Sequence, residues 1–122
     1  MAVIQKFEDL EVWKESLKLA RLIYTCTKSF PKEEQFALTN QIRRASYSVS
    51  ANIAEGFGRS TSRDKLHFYT IAYGSLLETK NFLYLAKELE YIDIIDHELE
   101  QVISCQKLLN AFMRPLKEKA KK

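Results

Sequence analysis

Three glycines and two prolines in 122 residues leave this chain very few places to turn. An all-β domain of that length needs a turn about every 8–12 residues and uses Gly, Pro and Asn to make them. Long helices are the architecture such a chain can reach. Its residues are 46% hydrophobic and 29% charged, the balance of one ordinary globular domain spanning residues 1–122. A core of that size folds without staples. No apolar run approaches the roughly 18–20 residues that span a bilayer. The N-terminus turns acidic at Glu8 and Asp9 and has no extended apolar stretch, so no signal peptide is read there. The chain is expected in the cytoplasm. Cys26 and Cys105 each fall within an apolar helical pattern and read as buried free thiols rather than a disulfide. His67 and His97 lack metal-ligand spacing, and neither a metal nor a cofactor is expected.

Helical periodicity divides the chain into four segments. The first is expected from about Glu8 to Lys28, with a seam of Leu10, Trp13, Leu17, Ala20 and Tyr24 at steps of three and four. Ser29-Phe30-Pro31 stops it, because the residue before proline is pushed out of the α region. The second starts near Lys32 to Glu34, packs through Leu38, Ile42, Ala45, Val49 and Ile53, and ends at Gly56 and Gly58 in a left-handed cap. Thr61 with Asp64 resembles a capping box and opens a third helix over about Ser62 to Leu89, whose stripe is Phe68, Ala72, Leu76, Thr79, Leu83 and Ala86. Asp93 is the expected N-cap of a fourth, packed through Leu99, Val102, Leu109, Phe112 and Leu116. Pro115 should kink or finish it, leaving a frayed basic tail. Three short connections between long helices predict an antiparallel, up-down-up-down four-helix bundle.

The first and third helices carry more apolar surface than a peripheral bundle helix needs. Val12, Leu19 and Ile23 form a second stripe on the first, and Tyr73, Leu77 and Tyr84 lie off the main seam of the third. Wrapping around the bundle edge is one reading. The favoured one is contact with another copy, since a contiguous apolar patch on a soluble protein marks an interface.

The net charge of +3 is too small to imply a nucleic-acid partner, but it is unevenly distributed. Residues 1–38 carry six basic and six acidic groups; residues 39–74 carry five basic and two acidic, net +3. Residues 75–113 have net charge −4, and residues 114–122 have net charge +4. In the basic second region Arg43, Arg44, Arg59, Arg63 and Lys65 are candidate phosphate contacts, with Tyr47 a candidate stacking surface. Internal pairing of those arginines is the competing reading. Asn52 and Glu55 form either a structural polar network between the second and third helices, with Glu55 pairing Arg44 or Arg59, or an exposed recognition surface. No nucleophile–base pair, P-loop or paired carboxylates stand out. Arg63 and His67 are too close together for the arginine–histidine pair of helical-bundle ribonucleases. A non-enzymatic nucleic-acid binder is the favoured function, and a protein-interaction scaffold that ignores nucleic acid is the alternative.

Three blocks sharpen this. Gln41-Ile42-Arg43-Arg44-Ala45-Ser46, Ser50-Ala51-Asn52-Ile53-Ala54-Glu55-Gly56 and Ile71-Ala72-Tyr73-Gly74-Ser75-Leu76-Leu77-Glu78 resemble the signature of the four helix bundle proteins, the bacterial 23S rRNA intervening-sequence proteins. Phe7-Glu8-Asp9-Leu10-Glu11-Val12-Trp13 and the Phe30-Pro31 turn are similar as well. The resemblance implies an antiparallel four-helix bundle, a ring-like homopentamer, genes placed inside insertions of ribosomal RNA genes, and a role in binding RNA. It brings no catalytic residues. The accessory subunit of diversity-generating retroelements, a basic pentamer that engages nucleic acid, is similar in fold.

Overall fold

The computed structural model describes residues 3–121; Met1 and Ala2, at the start of the segment read for a signal peptide, and Lys122, at the tip of the basic tail, lie outside the described residues. The chain is all-helical, with α1 (Glu11–Cys26), α2 (Leu38–Phe57), α3 (Ser62–Glu88) and α4 (Asp96–Ala120). Short 3-10 turns at Phe7–Asp9, Thr27–Ser29 and Lys32–Glu34 accompany them. Each helix packs against two others: α1 and α3 both lie between α2 and α4 and stand diagonally across the bundle. Gly56, at the end of α2, lies against Tyr69 near the start of α3, and Ser48 meets Ser75 midway. Numbers fall on one helix as they rise on the other, so α2 and α3 run antiparallel.

Each boundary has a local cause. α2 begins at Leu38, later than the first acidic residues suggest, because Lys32–Glu34 closes into a 3-10 turn and Ala37 leaves the helical region at φ −123°, ψ −106°. The Glu34 carboxylate then accepts a hydrogen bond from the Leu38 amide at 3.2 Å, doing an N-cap's work from outside the helix. Its other oxygen accepts from the Tyr91 hydroxyl at 2.8 Å, tying this corner to the one after α3. Phe30 packs on the same Tyr91 ring at 5.6 Å.

α2 continues through Gly56, and Gly58 closes it at φ −78°, ψ −7° rather than in the left-handed region. Thr61 caps α3, its hydroxyl accepting from the Asp64 amide at 3.1 Å. The left-handed residue lies elsewhere. Glu90, at φ 63°, ends α3, with the Tyr91 amide donating to Ala86 O and the Glu90 amide to Lys87 O, the paired bonds of a Schellman motif. Asp93 does not cap α4, which starts three residues later behind Ile95. Nor does Pro115 end it. The helix runs five residues further, to Ala120, so most of the basic tail is helical. Ala111, whose carbonyl loses its helical donor to the proline, and Pro115 are both exposed.

The core is apolar and closely sequenced. Ile42, Val49 and Ile53 of α2, Ala72, Leu76 and Leu83 of α3, and Val102, Cys105 and Leu109 of α4 have no accessible surface. A fully buried side chain of Leu or Ile type contributes about 1.5–3 kcal/mol relative to exposure. In α3 Tyr69 takes the fully buried place expected of Phe68, which is half-buried beside it.

On α1 the two apolar faces exchange roles. Val12, Ser16, Leu19, Ile23 and then Thr27 point into the bundle, whereas Leu17 is 43% and Tyr24 41% exposed. Val12, Leu19 and Ile23 are therefore core residues of one chain and cannot form a contact between copies. The inward face was obscured by its hydroxyls. Ser16 Oγ donates to Trp13 O at 2.7 Å and Thr27 Oγ1 to Ile23 O at 2.7 Å, so both are buried without leaving an unpaired group.

Candidate nucleic-acid interface

Successive residues on a helix are 100° apart, and α2 uses this to send Arg43 and Arg44 in different directions. Arg43 points to α1, where Nε donates to Thr27 Oγ1 at 2.8 Å and the guanidinium lies 4.7 Å from the centre of the Tyr24 ring. It is half-buried and structural. Arg44 is exposed, and Tyr47, one turn on, is 46% exposed.

Beside them runs an open groove between α2 and α3 of about 420 Å³. Gln41, Arg44, Ala45, Tyr47, Ser48 and Ala51 form one wall; Ser75 and Glu78 form the other. Small side chains at 45, 48, 51 and 75 keep it open. The polar groups nearest the bundle satisfy one another. Asn52 Nδ2 donates to Ser48 O at 2.8 Å and Ser48 Oγ at 2.9 Å, and Ser75 Oγ meets Ser48 Oγ at 3.0 Å. Asn52 is thus the start of a hydrogen-bonded link from α2 to α3. Glu55 takes no part in it: exposed, it pairs with Arg59 across one turn. Among the described residues neither Arg44 nor Glu78 has an ion-pair partner. All three sequence blocks contribute to this groove.

Arg59, Arg63 and Lys65 lie at the α2–α3 turn, separated from Arg44 by about 20 Å of helix rise. Arg59 also covers the Phe68 ring at 4.6 Å. Lys65 Nζ donates to Phe57 O at 2.6 Å, holding one of the free carbonyls at the end of α2. Arg63 is exposed and unpaired among the described residues. Five of the six candidate contacts therefore form two clusters, Arg44 with Tyr47 and Arg59 with Arg63 and Lys65, while Arg43 packs against Thr27 and Tyr24.

A second cavity of about 400 Å³ opens near that turn, among Phe57, Tyr69, Phe112, Pro115 and Leu116, with Lys65 and Lys119 also lining it. The Tyr69 hydroxyl is buried and has no hydrogen-bond partner among the described residues, and burial pushes it up to about 12. Burial likewise raises Cys26 to about 11 and Cys105 to about 12, which disfavours the reactive thiolate of each. His67 stands exposed, edge-on to Phe68 at 5.2 Å. Among the described residues no cluster of three or more His, Cys, Asp or Glu could hold a metal, and no helix is long and apolar enough to cross a membrane.

Of the residues expected between copies, Leu77 and Tyr84 are half exposed and Tyr73 is half-buried. Leu17 and Tyr24 join them as apolar side chains left on the surface. The spacing of seven within each pair, 17 with 24 and 77 with 84, marks a single stripe on each helix.

Fold and groove define a small four-helix-bundle protein whose distinctive surface lies where α2 meets α3. The family model described as 23S rRNA-intervening sequence protein matches residues 8–111, and the chain belongs to that family. A solved structure from Bacteroides thetaiotaomicron, a protein with unknown function from the S23 ribosomal protein family, superimposes with a TM-score of 0.77 at 27% identity. The match covers 84% of this chain and 95% of that one. No curated protein matches the chain.

Proposed function

We propose that this chain is a non-enzymatic, self-assembling bundle that works in the cytoplasm and binds RNA, or another nucleic acid, through the exposed side of α2 and the α2–α3 turn. The observation that carries the reading is the pairing of Arg44 and Tyr47, one turn apart and exposed, beside an open polar groove. A guanidinium fork and an aromatic face are the two groups that hold a phosphate and an unstacked base. Arg59, Arg63 and Lys65 extend the contact toward the turn. The family's name, which ties its members to intervening sequences of 23S ribosomal RNA, supports RNA as the partner.

One subunit offers few phosphate contacts and should bind weakly alone. Assembly through the stripes on α1 and α3 repeats the surface, and linked weak contacts multiply in apparent affinity. Anisotropy of a labelled single-stranded RNA between about 50 and 200 mM salt is the test. The logarithm of affinity should fall linearly with that of salt, and Arg44→Ala should reduce the slope by about one. RNA ignored at low salt, or bound equally at both ends of the range, would leave a protein-interaction scaffold instead.

A further inference from the structure

Glu78 is the residue an RNA-binding groove has to account for. The antiparallel register set by the Ser48–Ser75 and Gly56–Tyr69 contacts puts Glu78, one turn beyond Ser75, level with Arg44 and Tyr47. Glu78 lines the groove, and among the described residues no cation pairs with its carboxylate. A polyanion entering there meets a repulsive charge unless it brings hydrogen-bond donors of its own.

RNA bases carry such donors, but unequally. On their Watson–Crick edges adenine, cytosine and uracil each place a donor beside an acceptor. Guanine alone presents two adjacent donors, N1–H and N2–H, matching the two oxygens of a carboxylate. We propose that the α2–α3 groove holds one guanine of a single-stranded RNA, with Glu78 accepting from N1–H and N2–H, Tyr47 stacked on the base and Arg44 on its phosphate. This rests on the RNA reading above. The volume of about 420 Å³ admits one nucleotide, and Gln41 borders the same space. The serines are already engaged with each other and with Asn52, so the groups free to choose a base are those at the rim. Among the described residues Arg44 and Glu78 form no ion pair, so each is available to a different end of the same nucleotide.

The test uses labelled eight-nucleotide RNAs of adenine with G, A, C, U or inosine at one central position, measured by anisotropy at low salt. The G oligomer should bind the full-length protein about tenfold or more tightly than the A oligomer. Inosine keeps N1–H and lacks the N2 amine, and should lose most of that preference. Glu78→Gln should remove the preference, so that the G oligomer binds no more tightly than the A oligomer. A merely structural Glu78 would weaken every oligomer alike. Equal binding of all five overturns the guanine assignment and leaves the RNA reading standing, as does a G preference that survives Glu78→Gln. Failure of every oligomer to bind overturns both.

Discussion

At the scale of single residues, Gly56 shows how a side chain that is absent can position the site. A Cβ built there would lie 2.7 Å from Tyr69 Cε1 and 2.9 Å from Phe68 Cβ, too close for either helix to keep its place. Helix propensity favours alanine over glycine by about 1 kcal/mol. Overpacking a filled interior costs about 1–3 kcal/mol, and one of the atoms met is a Cβ fixed to the backbone. Overpacking should win. Gly56→Ala is expected to destabilise the protein by up to about 2 kcal/mol, read as a lower denaturation midpoint. Gly58→Ala is the control: its nearest neighbour would be Glu55 O at 3.6 Å, and its φ of −78° suits any residue. That change should be neutral or stabilise by about 0.4–1 kcal/mol through the unfolded chain.

Single elements show what the sequence could and could not reveal. The seam of α2 reads directly from spacing, because Leu38, Ile42, Ala45, Val49 and Ile53 make its one apolar stripe, and all are buried. The Thr61 cap of α3 is similarly local, a hydroxyl three residues before the amide it meets. On α1 two apolar stripes compete, and the buried one includes Ser16 and Thr27, which look polar until their hydroxyls bond within the helix. The Arg44–Tyr47 pair was legible as chemistry. The groove beside it was not, since it depends on the register that sets Glu78 opposite. The separation of Arg43 from the site also needed tertiary structure, because Tyr24 comes from α1 and Thr27 from the turn that follows it. The faces of α1 can be told apart by truncation. Leu19→Ala removes a side chain with no accessible surface and should cost about 2–5 kcal/mol. Leu17→Ala, 43% exposed, should stay within about 0.5 kcal/mol when unfolding is followed in solutions too dilute for assembly.

At the scale of the whole molecule, the placement of the exposed stripes on α1 and α3 would constrain any contact between copies. Leu17 and Tyr24 lie on α1, Leu77 and Tyr84 on α3, and these helices are diagonal partners with α2 and α4 between them. One stripe cannot cover the other within a chain. If the α1 stripe of one copy meets the α3 stripe of the next, the contact is heterologous, and repeating it closes a ring or grows a filament. A self-complementary contact through α3 alone would stop at a dimer. Leu17→Glu and Leu77→Glu separate the cases, because each puts a charge on one exposed stripe and leaves the core intact. In a heterologous assembly each variant alone should sediment as a single chain of 14.2 kDa, since every contact contains one blocked face. Mixed, the intact α1 stripe of one variant meets the intact α3 stripe of the other, and the blocked faces prevent further growth. Sedimentation equilibrium of the mixture should find a two-chain species and nothing larger. Assembly of Leu17→Glu alone, with Leu77→Glu monomeric and the mixture giving no new species, would show instead that α3 pairs with itself.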